Sequence, residues 1–283
     1  MPSVSGPTDR SWQSAVVSQV DDETAISALG DGRYTTRLRA AWNIAANANG
    51  GYAMLPALRA VTDLAAHPDP LSLTVHYLRP ATGDVDAEVA ARVGRVGRAT
   101  TNASATLVQE GKERLALVAV LGDLSEVTAG TVADPGLTLV PPDLPPPGDC
   151  IDRAELMQGV ELPILSRVEV RLRPEMLRPD PDAAAVVEGW IRLADGAPPE
   201  ARWLPMFADA FPPSLNARIG RTGWVPTIEL TVQVRRRPVD GWVRARFECD
   251  DVDGGRMIES GTLWDDSGAV VARSRQLGLL LAR

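Results

Sequence analysis

Most of the chain is written in short blocks where apolar and polar residues alternate, the period of a strand with one buried and one wet face. Residues 71–78, 84–96, 99–110 and 114–124 form one series of such blocks, separated by glycine-containing breaks. Residues 166–172, 184–193, 228–234, 242–249, 257–264 and 270–281 form a second. Upstream, residues 12–39 read as two strands joined by a turn at Gly30-Asp31-Gly32. Two segments keep a different period. Residues 52–61 carry apolar side chains at helical spacing, entered from the flexible cluster Asn47-Ala48-Asn49-Gly50-Gly51, with Pro56 tolerable in the first turn. Residues 203–211 show helical spacing again, just before Pro212-Pro213. A helix followed by a run of strands predicts an α+β fold in which an antiparallel sheet wraps the helix, and argues against the strand-helix alternation of a dinucleotide-binding domain.

The sequence also repeats itself. Leu73-Thr74-Val75 and Leu230-Thr231-Val232 stand 157 positions apart, and the same offset carries Gly97 onto Gly254 and Gly111 onto Gly268. Several matches at one spacing, with helix and strands in the same order, indicate a duplication. Between the copies, Pro141, Pro142, Pro145, Pro146 and Pro147 favour a stiff, extended linker. The expected division is an N-terminal repeat over 1–134, a linker over 135–149 and a C-terminal repeat over 150–283. Duplicated sheets that pair edge to edge remove exposed edges and create a shared groove.

Composition narrows the function. A net charge of -8 argues against a nucleic-acid binder, which needs clustered Lys and Arg. An anionic small molecule would need a local basic patch, and Arg235-Arg236-Arg237 is one such run, or else a solvated strand end. No window is apolar enough for a membrane span. Residues 1–14 are polar, without the basic start or apolar stretch of a signal peptide, and Cys150 and Cys249 lack metal-ligand spacing. These features fit a cytoplasmic protein with two unpaired thiols.

The residue inventory sets several mechanisms aside. His67 lies in a proline-flanked loop and His76 lies mid-strand. There is no Gly-x-Ser-x-Gly elbow, Walker loop, His-Glu-x-x-His or dinucleotide fingerprint, and neither cysteine has a His partner in sequence. What remains is attack by an activated water, which needs a carboxylate and neutral polar groups to orient it. Asp209 sits inside the apolar stretch 203–211, where burying a charge is expensive without partners. On the residues alone it is open between a catalytic carboxylate and a cap ending a short helix. Gln276 lies among aliphatic residues of the last strand and must find hydrogen-bond partners there, while Thr227 opens a strand after Pro226.

Taken in order, Asp209 after a helix, Pro226-Thr227-Ile228-Glu229 and Ser274-Arg275-Gln276 resemble the acyl-CoA thioesterase II (TesB-like) family, double hot-dog enzymes that hydrolyse acyl-CoA to fatty acid and CoA. Asn49-Gly50-Gly51, Val75-His76-Tyr77-Leu78-Arg79-Pro80 and Gln109-Glu110-Gly111 carry the resemblance through the first half. It implies two tandem hot-dog repeats, no metal or redox cofactor, and a water held by Asp209, Thr227 and Gln276. It further implies that Asn49, Gly50, Gly51, Tyr52, His76 and Arg235 contact an acyl-CoA substrate, in a protein of fatty acid metabolism that pairs as a homodimer by fold analogy. The chain departs from the family pattern at Glu229-Leu230-Thr231, where Asp-His-Ser is common, at Gln276-Leu277-Gly278, where Gln-Glu-Gly is common, and at Tyr52, where Gln often follows the two glycines. A non-catalytic acyl-CoA binder of the same fold is the first alternative. An enoyl-CoA hydratase is the second, although the chain offers only Asp63-x3-His67 for that chemistry.

Overall fold

The computed structural model describes residues 18–125, 136–156 and 159–281. The first half runs α1 (Gln19–Glu23), β1 (Ser27–Gly30), β2 (Arg33–Arg37), β3 (Asn43–Ile44), β4 (Asn47–Ala48), α2 (Gly50–Ala53), α3 (Leu55–Leu64), β5 (Asp69–Tyr77), β6 (Asp86–Val96), β7 (Thr101–Gln109) and β8 (Lys112–Gly122). The second runs β9 (Ile151–Asp152), β10 (Val168–Leu172), β11 (Val186–Leu193), α4 (Leu204–Phe207), α5 (Asn216–Ile219), β12 (Thr227–Val234), β13 (Val243–Asp253), β14 (Arg256–Trp264) and β15 (Val270–Leu279). All strands but β3 and β4 join one antiparallel sheet of 13 strands, ordered β1-β2-β6-β7-β8-β5-β12-β15-β14-β13-β11-β10-β9.

Alternation builds this sheet. Thr101, Ala103, Ala105, Leu107 and Gln109 of β7 are buried and their neighbours are not, and β8 repeats the pattern with Leu115, Leu117, Ala119 and Leu121. Against that face lies α3, whose Ala57, Ala60 and Val61 are small enough to let its axis approach. Each aliphatic side chain sealed this way contributes about 1.5–3 kcal/mol over leaving it wet. Pro56 falls within the first turn of α3, where no backbone N–H is missed.

The two halves meet at β5 and β12, with Thr74 opposite Thr231 and their hydroxyls 2.8 Å apart. These are the residues that the 157 offset relates. Walking outward from this pair, the first half presents β8, β7, β6 and β2, and the second presents β15, β14, β13 and β11. Gly111 and Gly268 both occupy hairpin turns at positive φ, 70° and 80°.

Three local expectations change. Residues 19–23 are helical rather than extended, because the Ser18 hydroxyl accepts the Asp21 N–H at 3.2 Å and Asp21 and Asp22 fill the first turn, the signature of a helix start. The second helix, α4, is one turn long rather than spanning 203–211, and residues 208–211 form turns and bends ahead of Pro212-Pro213. The proline-rich stretch is not a free-standing linker over its described residues 136–149: it runs without regular structure to Pro146 and closes in a 3-10 turn at Pro147–Asp149. Trp264 Nε1 donates to Leu139 O and Trp190 Nε1 to Pro145 O, both at 2.9 Å, so it is strapped to the second half. The remainder of the expected linker and the boundary at 134 lie outside the described residues.

Candidate active site

Asn49 caps α2, its Oδ1 accepting the Tyr52 N–H at 2.9 Å, and this leaves its amide nitrogen pointing out of the helix. That nitrogen donates to Asp209 twice, to Oδ2 at 2.9 Å and to the main-chain oxygen at 3.0 Å. The Gly51 N–H donates to the same Oδ2 at 2.7 Å. Only glycine allows this approach, because a Cβ at Gly51 would stand 2.8 Å from Asp209 Cβ and 3.0 Å from Met206 Cα. A residue pair from the first half thus grips a carboxylate from the second.

Thr227, the first residue of β12, donates its hydroxyl to Asp209 Oδ1 at 3.5 Å, and Gln276 of β15 donates Nε2–H to Thr227 Oγ1 at 2.7 Å. Asp209 Oδ2 is therefore saturated by two short contacts, while Oδ1 has one long contact and free lone pairs. Burial pushes the Asp209 carboxyl up to about 6; hydrogen bonds from Gly51, Asn49 and Thr227 and the charge of Arg153 pull the other way. A carboxylate with that affinity can accept a proton near neutral pH.

Asp209, Thr227 and Gln276 line a cavity of about 240 Å3. Phe211, Phe247, Met257 and Leu279 give it apolar walls, and Arg79 and Arg114 stand at the side formed by β5 and β8.

Comparison with known proteins fits this geometry. Residues 38–122 match the model of the acyl-CoA thioesterase N-terminal domain and residues 141–280 that of the acyl-CoA thioesterase C-terminal domain. The chain belongs to the acyl-CoA thioesterase family. Among solved structures it is similar to a protein of Thermobifida fusca provisionally assigned as thioesterase II, with 28% identity, 95% of this chain and 99% of that one covered, and a TM-score of 0.83. It is also similar to a conserved hot-dog protein of Alicyclobacillus acidocaldarius, at 24% identity, 95% and 100% coverage and a TM-score of 0.78. The fold is thus a hot-dog fold. Among curated sequences, the Mycobacterium tuberculosis protein Rv0499 is 28% identical over 201 residues, 66% of this chain and 68% of its own.

Within this thioesterase, the other residues expected to meet substrate divide. Asn49 and Gly50 line the cavity and Gly51 backs it. Tyr52 does not reach it. Its ring stacks on Trp42 at 4.8 Å, and its hydroxyl donates to Glu23 O and accepts from the Arg39 N–H, so it is a core residue. His76 is exposed on the opposite face of β5, one residue out of phase with the buried Val75. Arg235 is exposed beyond the far end of β12, about 26 Å from Thr227 at strand rise. The arginines that line the cavity are instead Arg79, Arg114 and Arg153.

Arg153, Glu259 and Tyr77 are among the polar residues of this cavity that sequence reasoning did not single out. Arg153 is 3% exposed and donates to the Ala210 carbonyl; burial lowers its guanidinium to about 9, against the opposing pull of Asp209. Glu259 is cross-strand from Gln276 and accepts from the N–H and hydroxyl of Ser214, with burial raising its carboxyl. Tyr77 ends β5. A buried polar residue inside an alternating strand carries a signal, since Glu259 falls on the apolar phase of β14, but Arg153 follows a linker with no phase to break.

Proposed function

We propose that this thioesterase hydrolyses acyl-CoA thioesters by direct attack of a water held by Asp209, Thr227 and Gln276. The observation that carries the reading is the one-way hydrogen-bond chain from Gln276 through Thr227 to a buried carboxylate whose Oδ1 is left open to the cavity. Asp209 Oδ1 accepts a proton as the water oxygen bonds to the thioester carbonyl carbon. The tetrahedral adduct then collapses, the carbon–sulfur bond breaks, and the thiolate of CoA leaves and recovers a proton from Asp209. Water and acyl-CoA give the carboxylic acid and free CoA. Thiolate leaves readily, so no strong acid is required. The cavity's apolar side would take the acyl group, and Arg79 and Arg114 the anionic CoA.

The same reading takes the chain as two tandem hot-dog repeats divided at the proline-rich segment, over 1–134 and 150–283. It is supported by the Thr74–Thr231 pair at the repeat offset and by the matching strand order on either side. Among the described residues no helix is long and apolar enough to cross a membrane. A cytoplasmic enzyme of fatty acid metabolism, paired as a homodimer, completes the proposal. Release of free thiol from a panel of short, medium and long acyl-CoAs tests it. Turnover that Asp209→Ala and Gln276→Ala both cut in folded protein is expected, and binding without turnover in the wild type would reduce the site to a binding pocket.

A further inference from the structure

Hydrolysis moves negative charge onto the thioester carbonyl oxygen, and a site that speeds it must aim a donor at that oxygen. The groups that hold Asp209 have other duties. Both Asn49 contacts go to Asp209, the Gly51 N–H goes to its carboxylate, the Thr227 hydroxyl points to Oδ1, and Gln276 holds Thr227. One hydroxyl stands apart from this network. Tyr77 lines the same cavity, and its hydroxyl is buried with no hydrogen-bond partner among the described residues. A buried donor left without an acceptor destabilises the fold, so its retention calls for an acceptor that arrives from outside.

The placement of Tyr77 fits that role. It is the last residue of β5, facing the start of α2, and the point where a Gly50 Cβ would stand lies 3.0 Å from Tyr77 Cζ and 3.1 Å from Asp209 Oδ2. The phenol and the carboxylate therefore flank one bare patch of backbone, a spacing suited to holding the two sides of a reacting carbonyl. Burial and the nearby Asp209 charge hold the phenol well above its ordinary range, which keeps its proton on and available to donate.

We infer that Tyr77 is a further catalytic residue, whose hydroxyl donates a hydrogen bond to the thioester carbonyl oxygen as that oxygen becomes the oxyanion. The inference rests on the hydrolase reading above. Tyr77→Phe removes one oxygen atom and keeps the ring. Its kcat should fall about 10²–10³-fold, with KM within about threefold, the cost of losing one preorganised donor. Its Tm should hold or rise, because an unpaired buried hydroxyl is being deleted. A merely structural hydroxyl would leave kcat alone, and a kcat within twofold of wild type in folded Tyr77→Phe would overturn the role. A second reading does not depend on turnover. The carbonyl stretch of a short acyl-CoA bound to Asp209→Asn should lie at lower frequency than in the Asp209→Asn, Tyr77→Phe double variant. Equal frequencies would overturn the hydrogen bond, whereas a frequency shift alongside an inactive wild type would sink the hydrolase reading instead.

Discussion

Four residues before Thr231, strand β12 carries Thr227; four residues before Thr74, strand β5 carries Pro70. Opposite Leu230 stands Gln276, and opposite Leu73, in the matching register, stands Ala119. The two ends of the central strand pair are therefore built on one backbone plan and furnished differently. At the Thr227 end, a carboxylate is held by neutral donors and keeps an open oxygen. At the Pro70 end, Asp69 is bound by the Arg237 guanidinium at 2.8 Å and by the Leu124 N–H at 2.9 Å. A carboxylate whose lone pairs are taken by a cation is a structural tie; one held by neutral groups beside a cavity keeps its basicity. The two ends share a backbone register and differ in their polar side chains, and the proposed chemistry rests on that difference.

The largest expected contrast follows from this. Asp209→Ala should lower kcat/KM for acyl-CoA by about 10³-fold, within the range of a lost general base. Asp69→Ala, at the matched end, should stay within about twofold of wild type. Comparable losses in both folded variants would break the distinction. Gln276→Ala should cost less than Asp209→Ala, about 10–10²-fold, since Thr227 would keep its contact with Asp209. The rate measured at subsaturating substrate would separate the two.

Acidity sharpens the same contrast. With Asp209 raised to about 6, kcat/KM should climb through pH 6 and level above it. Stability should move the other way. Below the ordinary carboxylate value of 3.8, Asp209 is neutral in folded and unfolded chains and carries no penalty. As pH rises from 3.8 through 6, the unfolded chain ionises first, so the folded state loses about 2–3 kcal/mol, fully present above 6. Asp209→Asn should thus raise Tm at pH 7.5 and make no difference at pH 3.5, as thermal melts at the two pH values would read. A gain of equal size at both would place its origin elsewhere than in the carboxylate charge.

How much of this was legible in the sequence depends on whether a signal is local. The strands of both halves were, because alternation and hairpin glycines are local, and the 157 offset even marked the pair of threonines at the centre. The first helix was misread because Ser18 and two aspartates outweigh alternation over so short a stretch. Asp209, Thr227 and Gln276 were visible as residues, but physics alone left Asp209 between a cap and a base; a family resemblance picked them out together. Asn49 was read as substrate-binding, and its grip on a carboxylate 160 residues away has no local mark. Tyr52 and Tyr77 show the same limit from opposite sides, since only packing decides that one hydroxyl finds Glu23 and Arg39 while the other has no hydrogen-bond partner among the described residues.

The smallest expected effect belongs to the quiet end of the strand pair. Asp69 is largely buried, but the Arg237 side chain is 51% exposed, so solvent screens their attraction. A double-mutant cycle over Asp69→Ala and Arg237→Ala should therefore return a coupling of only about 0.5–1 kcal/mol, seen as a Tm change of a few degrees at most, given about 2–4 °C per kcal/mol for a chain of this size. Added salt at 1 M should erase most of that coupling while leaving the Leu124 N–H contact with Asp69 in place. If the coupling instead reached several kcal/mol and resisted salt, the pair would be behaving as a buried tie. The Pro70 end would then be locked shut by charge, and the difference between the two ends would rest on that closure as well as on the missing threonine and glutamine.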